Sequence, residues 1–341
     1  MSDRRNSWLM LGAGMVLVIS FLLNVSLGSV SISISQVFEG LFFGEWSRDS
    51  LRQILVNYRL PKALVAILAG LGLSISGLQM QTFFRNPLAG PYVLGISSGA
   101  GFGVAILILA GSIFGFASHA VNPWAIAIAG TLGAGLILVL VSLVAWRVKD
   151  SMTLLIVGVM FGAAVSAIIS VLAYFSGAEA LKLYTIWSMG SLGGLGWEQV
   201  WMMMGVVLVG LFPVVFSIRA FNALLLGESY ASSMGVNTTR LRWWMILSAG
   251  LLSGVVTAFC GPVAFVGIAV PHMARIIWKT ADHRVLFPAS ALCGAVLLLL
   301  CDALGQLPGS AQSLPINAVT SLIGAPLVIG LVLKRNFSKD F

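Results

Sequence analysis

The sequence predicts an all-α, polytopic integral membrane protein of about ten transmembrane helices with both termini on the cytoplasmic side. Three observations predict it. Hydrophobic residues make up 59% of the 341 and charged residues only 9%, whereas a soluble domain carries about 25% charged residues. The apolar runs are continuous, not alternating, and approach the roughly 20 residues that a helix needs to cross a bilayer; a β-barrel would alternate. The Lys and Arg residues fall between the runs and mostly on one side of the membrane. No stretch is long or polar enough for a separate soluble domain, so residues 1–341 form one transmembrane domain.

Asp3, Arg4 and Arg5 precede a first apolar run over residues 8–23, which lacks a clear small-residue cleavage site and is expected to be retained as a span. Residues 31–58 are expected as an external loop, with a short interfacial helix over 36–43. The second span starts after RLPK (59–62) and runs to about residue 84. Pro87 and Pro91 fit a tight internal turn, since neither suits a helix interior. The third span covers about 92–113, and His119, Asn122 and Pro123 mark the next external turn. The fourth span is 124–146, closed by Arg147, Lys149 and Asp150, and the fifth is 152–175.

An external stretch holding Glu179, Lys182 and YTIWSMGSLGGLGW follows, part helix and part glycine-rich break. Spans six to ten are about 200–218, 243–259, 263–278, 285–302 and 316–333, the last ending in Lys334, Arg335 and Lys339. With this topology 14 of the 19 basic residues lie inside, and Arg48, Arg52, Arg59, Lys62 and Lys182 lie outside. That is the positive-inside bias. The net charge of +8 is therefore a topological signal and not a nucleic-acid footprint.

Residues 226–244, LGESYASSMGVNTTRLRWW, are the most polar internal stretch. Tyr230, Met234 and Val236 are too sparse to cross a bilayer, and Glu228, Arg240 and Arg242 would be costly at membrane depth. Glu228 and Ser229 suit the first turn of a short helix, and Gly235 suits its stop. A surface helix docking something at the membrane face fits this pattern, as does an ordinary amphipathic connector.

The remaining polar and small residues are read mainly as structure. Cys260, Cys293 and Cys301 sit in apolar runs without metal-ligand spacing and read as packing residues. Glycines spaced by four (Gly95, Gly99 and Gly103; Gly158 and Gly162; Gly190 and Gly194; Gly250 and Gly254) let helix backbones approach closely. AGLGLSISG with GPYVLGI (69–77, 90–96) echoes AGLLSG with GPVAFVGI (249–254, 261–268), as inverted repeats would. The first Gly-Pro falls inside and the second outside. His272 with Arg275 is expected at the inner interface.

Stretch 226–244 closely resembles the cytoplasmic coupling segment of permease subunits in bacterial ABC importers for iron-siderophores, haem and vitamin B12. The matching residues are Leu226, Gly227 and Glu228, then Met234, Gly235 and Val236, then Arg240, Leu241 and Arg242. Residues 59–103 resemble the same family through Arg-Leu-Pro (59–61), Gly77 with Gln81, Arg-Asn-Pro-Leu (85–88) and Leu-Gly-Ile-Ser-Ser-Gly-Ala (94–100). GPVAFVGIAVPHMAR (261–275), LPINAVTSLIGAP (314–326) and WSMGSL (187–192) continue the resemblance over about residues 55–335.

The resemblance implies a multi-pass permease of the bacterial inner membrane, a homodimer around a central path and surrounded by membrane lipid. Two cytoplasmic ABC ATPase subunits would hold the ATP and Mg, leaving no cofactor, metal or catalytic residue in this chain. A substrate-binding protein would deliver an iron chelate or cobalamin outside. The coupling segment, 226–242, would seat in the ATPase through Leu226, Gly227, Glu228, Ser229, Met234, Gly235, Val236 and Arg240. Trp187, Ser188, Gly190 and Ser191, the fifth span and parts of spans eight to ten would line the path. Arg59 and Lys62 would meet the binding protein. There the chain departs from the family pattern, with Gln306 in place of an arginine and Ser313 in place of a glutamate.

Other classes fit less well. No Gly-Lys pair occurs, so the chain has no P-loop. His119, His272 and His283 lack clustered carboxylates or thiols, which argues against a metal enzyme. An ion-coupled secondary transporter usually keeps charges within its spans, whereas Asp302 and Glu198 are placed at span ends here. A non-transporting receptor or scaffold is the other alternative. ATP-dependent uptake that requires an added ATPase subunit separates the three. Ferric-siderophore, haem and cobalamin permeases share these motifs.

Overall fold

Helices that are apolar on every side belong in the interior of a bundle. Two such helices, Leu60–Phe83 and Thr238–Cys260, are buried along most of their length and pack on each other. The computed structural model describes residues 2–28, 30, 32–44, 46, 48–111, 122–148, 150–306 and 313–335. His119, Lys149, Lys339 and the expected end of the third span at residue 113 lie outside the described residues.

The helices in chain order are α1 (Ser2–Ser26), α2 (Ile34–Phe38), α3 (Asp49–Ile54), α4 (Leu60–Phe83) and α5 (Ile96–Ile108). Next come α6 (Pro123–Arg147), α7 (Ser151–Phe175), α8 (Ala178–Ser188), α9 (Trp197–Leu225) and α10 (Glu228–Ser233). The last are α11 (Thr238–Cys260), α12 (Val266–Trp278), α13 (His283–Gly305) and α14 (Ile316–Arg335). No strand occurs among the described residues; Gln306 and Ser313 form an isolated bridge. Seven helices are long and apolar enough to cross a membrane, and α5, α12 and α14 carry shorter apolar stretches. Each of the ten expected spans coincides with one of these.

Around the α4–α11 core, α13 and α12 pack on α4, α9 and α6 pack on α11, and α5 packs on α6. Glycine makes the tightest crossings. A Cβ at Gly77 would overlap the Gly267 carbonyl, and one at Gly99 would lie 2.5 Å from Gly133 O. Close backbone approach of this kind drives helix association in lipid, where apolar burial gives no net gain. Gly103 and Gly158 are equally crowded, by Ala129 and Val93, as their spacing predicts; Gly194 is open.

Two expectations are corrected. The helix of the second span does not begin after residues 59–62. Helix α3 runs through a π-helical turn, Leu55–Arg59, directly into α4, giving one continuous helix over Asp49–Phe83. Pro61 has no N–H for a carbonyl one turn back, and the wider i→i+5 turn carries the helix past it. The two Gly-Pro breaks are also not on opposite faces. Tyr92 Oη donates to Val263 O at 2.6 Å and accepts from Val263 N at 3.1 Å, so the breaks meet. Each precedes a short helix, α5 or α12, that begins within the bundle, and the Tyr92 hydroxyl satisfies backbone groups freed there.

The two ends of the bundle sort consistently. Arg5 Nη2 reaches Trp278 O at 2.9 Å at one end. At the other, Asn24 Nδ2 reaches Leu299 O at 2.9 Å. The cysteines are free and buried or half-buried, as expected of packing residues.

Candidate functional site

At the end holding Arg5, the chain leaves α9 and turns at Gly227, whose φ of +114° only glycine adopts without strain. Helix α10 then opens on Glu228. It closes in a Schellman motif: Val236 N donates to Ala231 O at 3.0 Å and Gly235 N to Ser232 O at 3.0 Å, with Gly235 at φ +83°. Asn237 Oδ1 accepts from Arg240 N at 2.9 Å and caps α11. The expected short surface helix and its glycine stop are both present.

Ala231 packs this helix against the bundle, and the Arg242 side chain ties it there. Arg242 Nη2 meets Glu228 Oε1 at 3.1 Å, Nη1 donates to Val148 O at 3.2 Å, and the guanidinium lies 5.7 Å from the Phe83 ring centroid. Arg242 thus gathers the ends of α4, α6, α10 and α11. Arg240 lines a separate depression with Trp243, Trp244 and Leu247. Motif position favours Arg240, but the residue that touches Glu228 is Arg242, two positions on.

Leu226, Tyr230 and Met234 are exposed at 65%, 51% and 60% on this otherwise polar end. Tyr230 and Met234, four apart, share a face. Beside them is a cleft of about 660 Å³ lined by Thr82, Arg85, Asp150 and Ser229. Asp150 caps α7, and hydrogen bonds from Thr153 Oγ1 and N, both 2.7 Å, hold its carboxyl below the usual range. An exposed apolar ridge beside a polar cleft is suited to a protein partner.

The opposite end carries a depression of about 500 Å³ lined by Tyr58, Lys62, Ser191, Asp302 and Ser313 among others. Lys62 Nζ meets Asp302 Oδ1 at 2.9 Å, and Asp302 Oδ2 accepts from Asn24 Nδ2 at 2.9 Å and Gln306 Nε2 at 2.7 Å. Asp302 is only 7% exposed, so the near-absence of charge expected inside the bundle needs correction. Helix α13 continues to Gly305, which turns Asp302 inward, and Lys62 balances it. Nothing local in the sequence joins residues so far apart.

Arg59 is likewise not a free cation at a helix mouth. It is buried, and its guanidinium donates to Val25 O at 2.7 Å, Ser26 O at 2.9 Å and Val30 O. It closes the end of α1 instead of offering charge to solvent. The π turn rotates it there.

Residues 187–191 connect α8 to this depression. Gly190 N donates to Trp187 O at 3.0 Å, Ser191 N to Cys260 O at 2.8 Å and Asn317 N to Met189 O at 3.2 Å. Ser188 Oγ bonds Thr185 O at 2.8 Å, and Trp187 lies against Tyr184 with ring centroids 5.9 Å apart. Trp187, Ser188, Gly190 and Ser191 therefore form one segment pinned between α11 and α14. His272 is half-buried on α12, whose Arg275 bonds Gln81 Oε1 at 2.5 Å. No cluster of His, Cys, Asp or Glu able to hold a metal occurs among the described residues.

A bundle of apolar helices, with a short surface helix at one end and a charged depression at the other, is the architecture of a multi-pass membrane protein. Residues 16–334 match the model of the FecCD transport family, and the chain belongs to that family. It is 37% identical over 291 residues to the vitamin B12 import system permease protein BtuC of Escherichia coli O17:K52:H18, covering 85% of this chain and 87% of that protein. The Salmonella typhi protein of the same name is 34% identical over 332 residues, 97% of each chain. A solved structure assigned to a metal-chelate type ABC transporter, in an inward-facing conformation, superposes with a TM-score of 0.82 at 30% identity. The match covers 96% of this chain and 99% of that one. The protein is an ABC-importer permease of the inner membrane, the transport subunit of such a system.

Proposed function

We propose that the chain works as a homodimer with two cytoplasmic ATPase subunits and an external binding protein, importing cobalamin or a ferric chelate of similar bulk. The observation that carries this reading is α10, tied through Arg242 to three transmembrane helices and displaying Tyr230 and Met234. Movement of a seated partner would pass through Arg242 to α4, α6 and α11 together. Leu226, Gly227, Glu228, Ser229, Met234, Gly235 and Val236 form the docking element, and ATP and Mg reside on the partner. Lys62 lines the outer depression where the binding protein would sit, Gln306 supports it through Asp302 and Ser313, and Arg59 braces that rim from below. The segment holding Trp187, Ser188, Gly190 and Ser191 borders the path.

The test is reconstitution in proteoliposomes with the ATPase and binding protein, using labelled cyanocobalamin and a labelled ferric hydroxamate as cargoes. Uptake of one of them should require ATP and the ATPase subunit. Uptake driven by a proton or sodium gradient without the ATPase would overturn the reading.

A further inference from the structure

Helices α9 and α11 leave a continuous groove on the outer wall of the bundle. One part, about 540 Å³, is lined by Asn237, Thr239, Arg240, Trp243, Trp244 and Leu247. The other, about 470 Å³, is almost wholly apolar and includes Leu138, Leu208, Phe212, Pro213, Trp244 and Leu247. Trp244 and Leu247 border both, so a polar, basic mouth opens directly into an apolar trench.

Helical register places a second cation at that mouth. Ser248 Oγ donates to Gly210 O at 2.6 Å, fixing how antiparallel α9 and α11 lie side by side. Counting outward from this bond, Arg219 on α9 comes level with Thr239 and Arg240 on α11. Arg219 follows Phe212 by seven residues, and Arg240 precedes Leu247 by seven, spacings that return to the same helix face. Each helix thus carries an arginine below the apolar residues it gives to the trench. Both are exposed, and neither side chain has an ion pair among the described residues. Of the carboxylates at this end, Glu228 is taken by Arg242, and Asp282 is held by Asn222 Nδ2 at 2.6 Å and by Arg284 N at 2.9 Å.

Trp243 and Trp244 sit between the arginines and the trench, at the level where such rings mark the membrane–water boundary. A phosphodiester has the right charge for the mouth, and an acyl chain has the right chemistry for the trench. We propose that this groove is a binding site for an anionic phospholipid of the inner leaflet, its headgroup held by Arg219 and Arg240 and one acyl chain laid along α9 and α11. Basic pockets between transmembrane helices on the cytoplasmic side suit such headgroups. The site rests on membrane embedding alone and is independent of what the permease carries.

The test is native mass spectrometry of the detergent-purified chain titrated with phosphatidylglycerol or phosphatidylcholine of identical acyl chains. The wild type should retain phosphatidylglycerol preferentially. The preference should fall about fivefold for each of Arg219→Gln and Arg240→Gln, from about 1 kcal/mol per basic residue near a charged lipid. Leu247→Trp, which fills the trench while leaving the charges, should weaken both lipids alike. Unchanged melting of each variant in detergent separates lost binding from lost folding. Equal retention of the two lipids by the wild type, or full preference in the double arginine variant, would overturn the site. So would displacement of phosphatidylglycerol by inorganic phosphate alone, which would mean that the trench holds no chain.

Discussion

Replacing Asp302 with alanine removes the acceptor for Lys62, Asn24 and Gln306 at once. Asn24 keeps Leu299 O, and Gln306 is only half-buried, so the main loss is the ammonium of Lys62. Taking one partner from a buried pair costs about 3–5 kcal/mol. The Lys62 side chain is 21% exposed, and partial solvation puts the figure at the lower end, about 3 kcal/mol. Removing both charges, as Lys62→Met with Asp302→Ala, leaves no stranded ion and should recover about 2 kcal/mol of that loss. The assay is a double-mutant cycle on unfolding in detergent, read by the shift in apparent melting temperature. The Asp302→Ala variant should melt lowest and the double variant between it and wild type, a coupling of about 2 kcal/mol or more. If the double variant loses the sum of the two singles, Lys62 and Asp302 do not act as a pair and the reasoning fails.

Three further outcomes follow from the same geometry. Gly77→Leu would force its side chain into the Gly267 backbone and should abolish folded yield on size-exclusion chromatography, whereas Gly12→Ala, with open space around it, should be silent. Tyr230→Ala with Met234→Ser should reduce ATPase stimulation in the reconstituted complex by about tenfold or more, since exposed anchors dominate small interfaces; unchanged stimulation would remove α10 from the interface. Asp150 has a depressed folded-state pKa, so its contribution is full above the usual carboxylate range and fades as pH falls through the depressed value. Asp150→Asn should therefore melt below wild type at pH 7, with the gap closing toward pH 3, and a gap that widened in acid would contradict the cap.

What the sequence made legible was whatever depends on local pattern. The apolar run lengths placed the helices, and the Glu228 start and Gly235 stop of α10 were readable because capping is a matter of three or four adjacent residues. The four-residue glycine spacing likewise marked real crossings at Gly99, Gly103 and Gly158. The start of the second span was hidden because Pro61 ordinarily signals a helix boundary, and only the π turn shows otherwise. The partners of Lys62, Arg59 and Arg242 were hidden for another reason. Each depends on which helices become neighbours, and a continuous apolar run carries little information about its neighbours. The motif pointed to Arg240, but Arg242, two positions on and about 200° around the helix, is the one that meets Glu228.

The contacts of Arg59 and Lys62 differ in when they become possible. Arg59 reaches carbonyls 34 and 33 residues earlier in the chain, so all its partners exist before it is synthesised. Lys62 has to wait for Asp302, roughly 240 residues later, which at about 5–20 residues per second is on the order of 12–48 s of translation. For that interval its ammonium has no carboxylate, and only its flexible stem can keep it at the outer interface. The α1–α4 hairpin is thus fastened as it emerges, while the α4–α13 seam stays unneutralised until the ninth span arrives. Nascent chains stalled before residue 302 should accumulate in this state, with Lys62 still open to water.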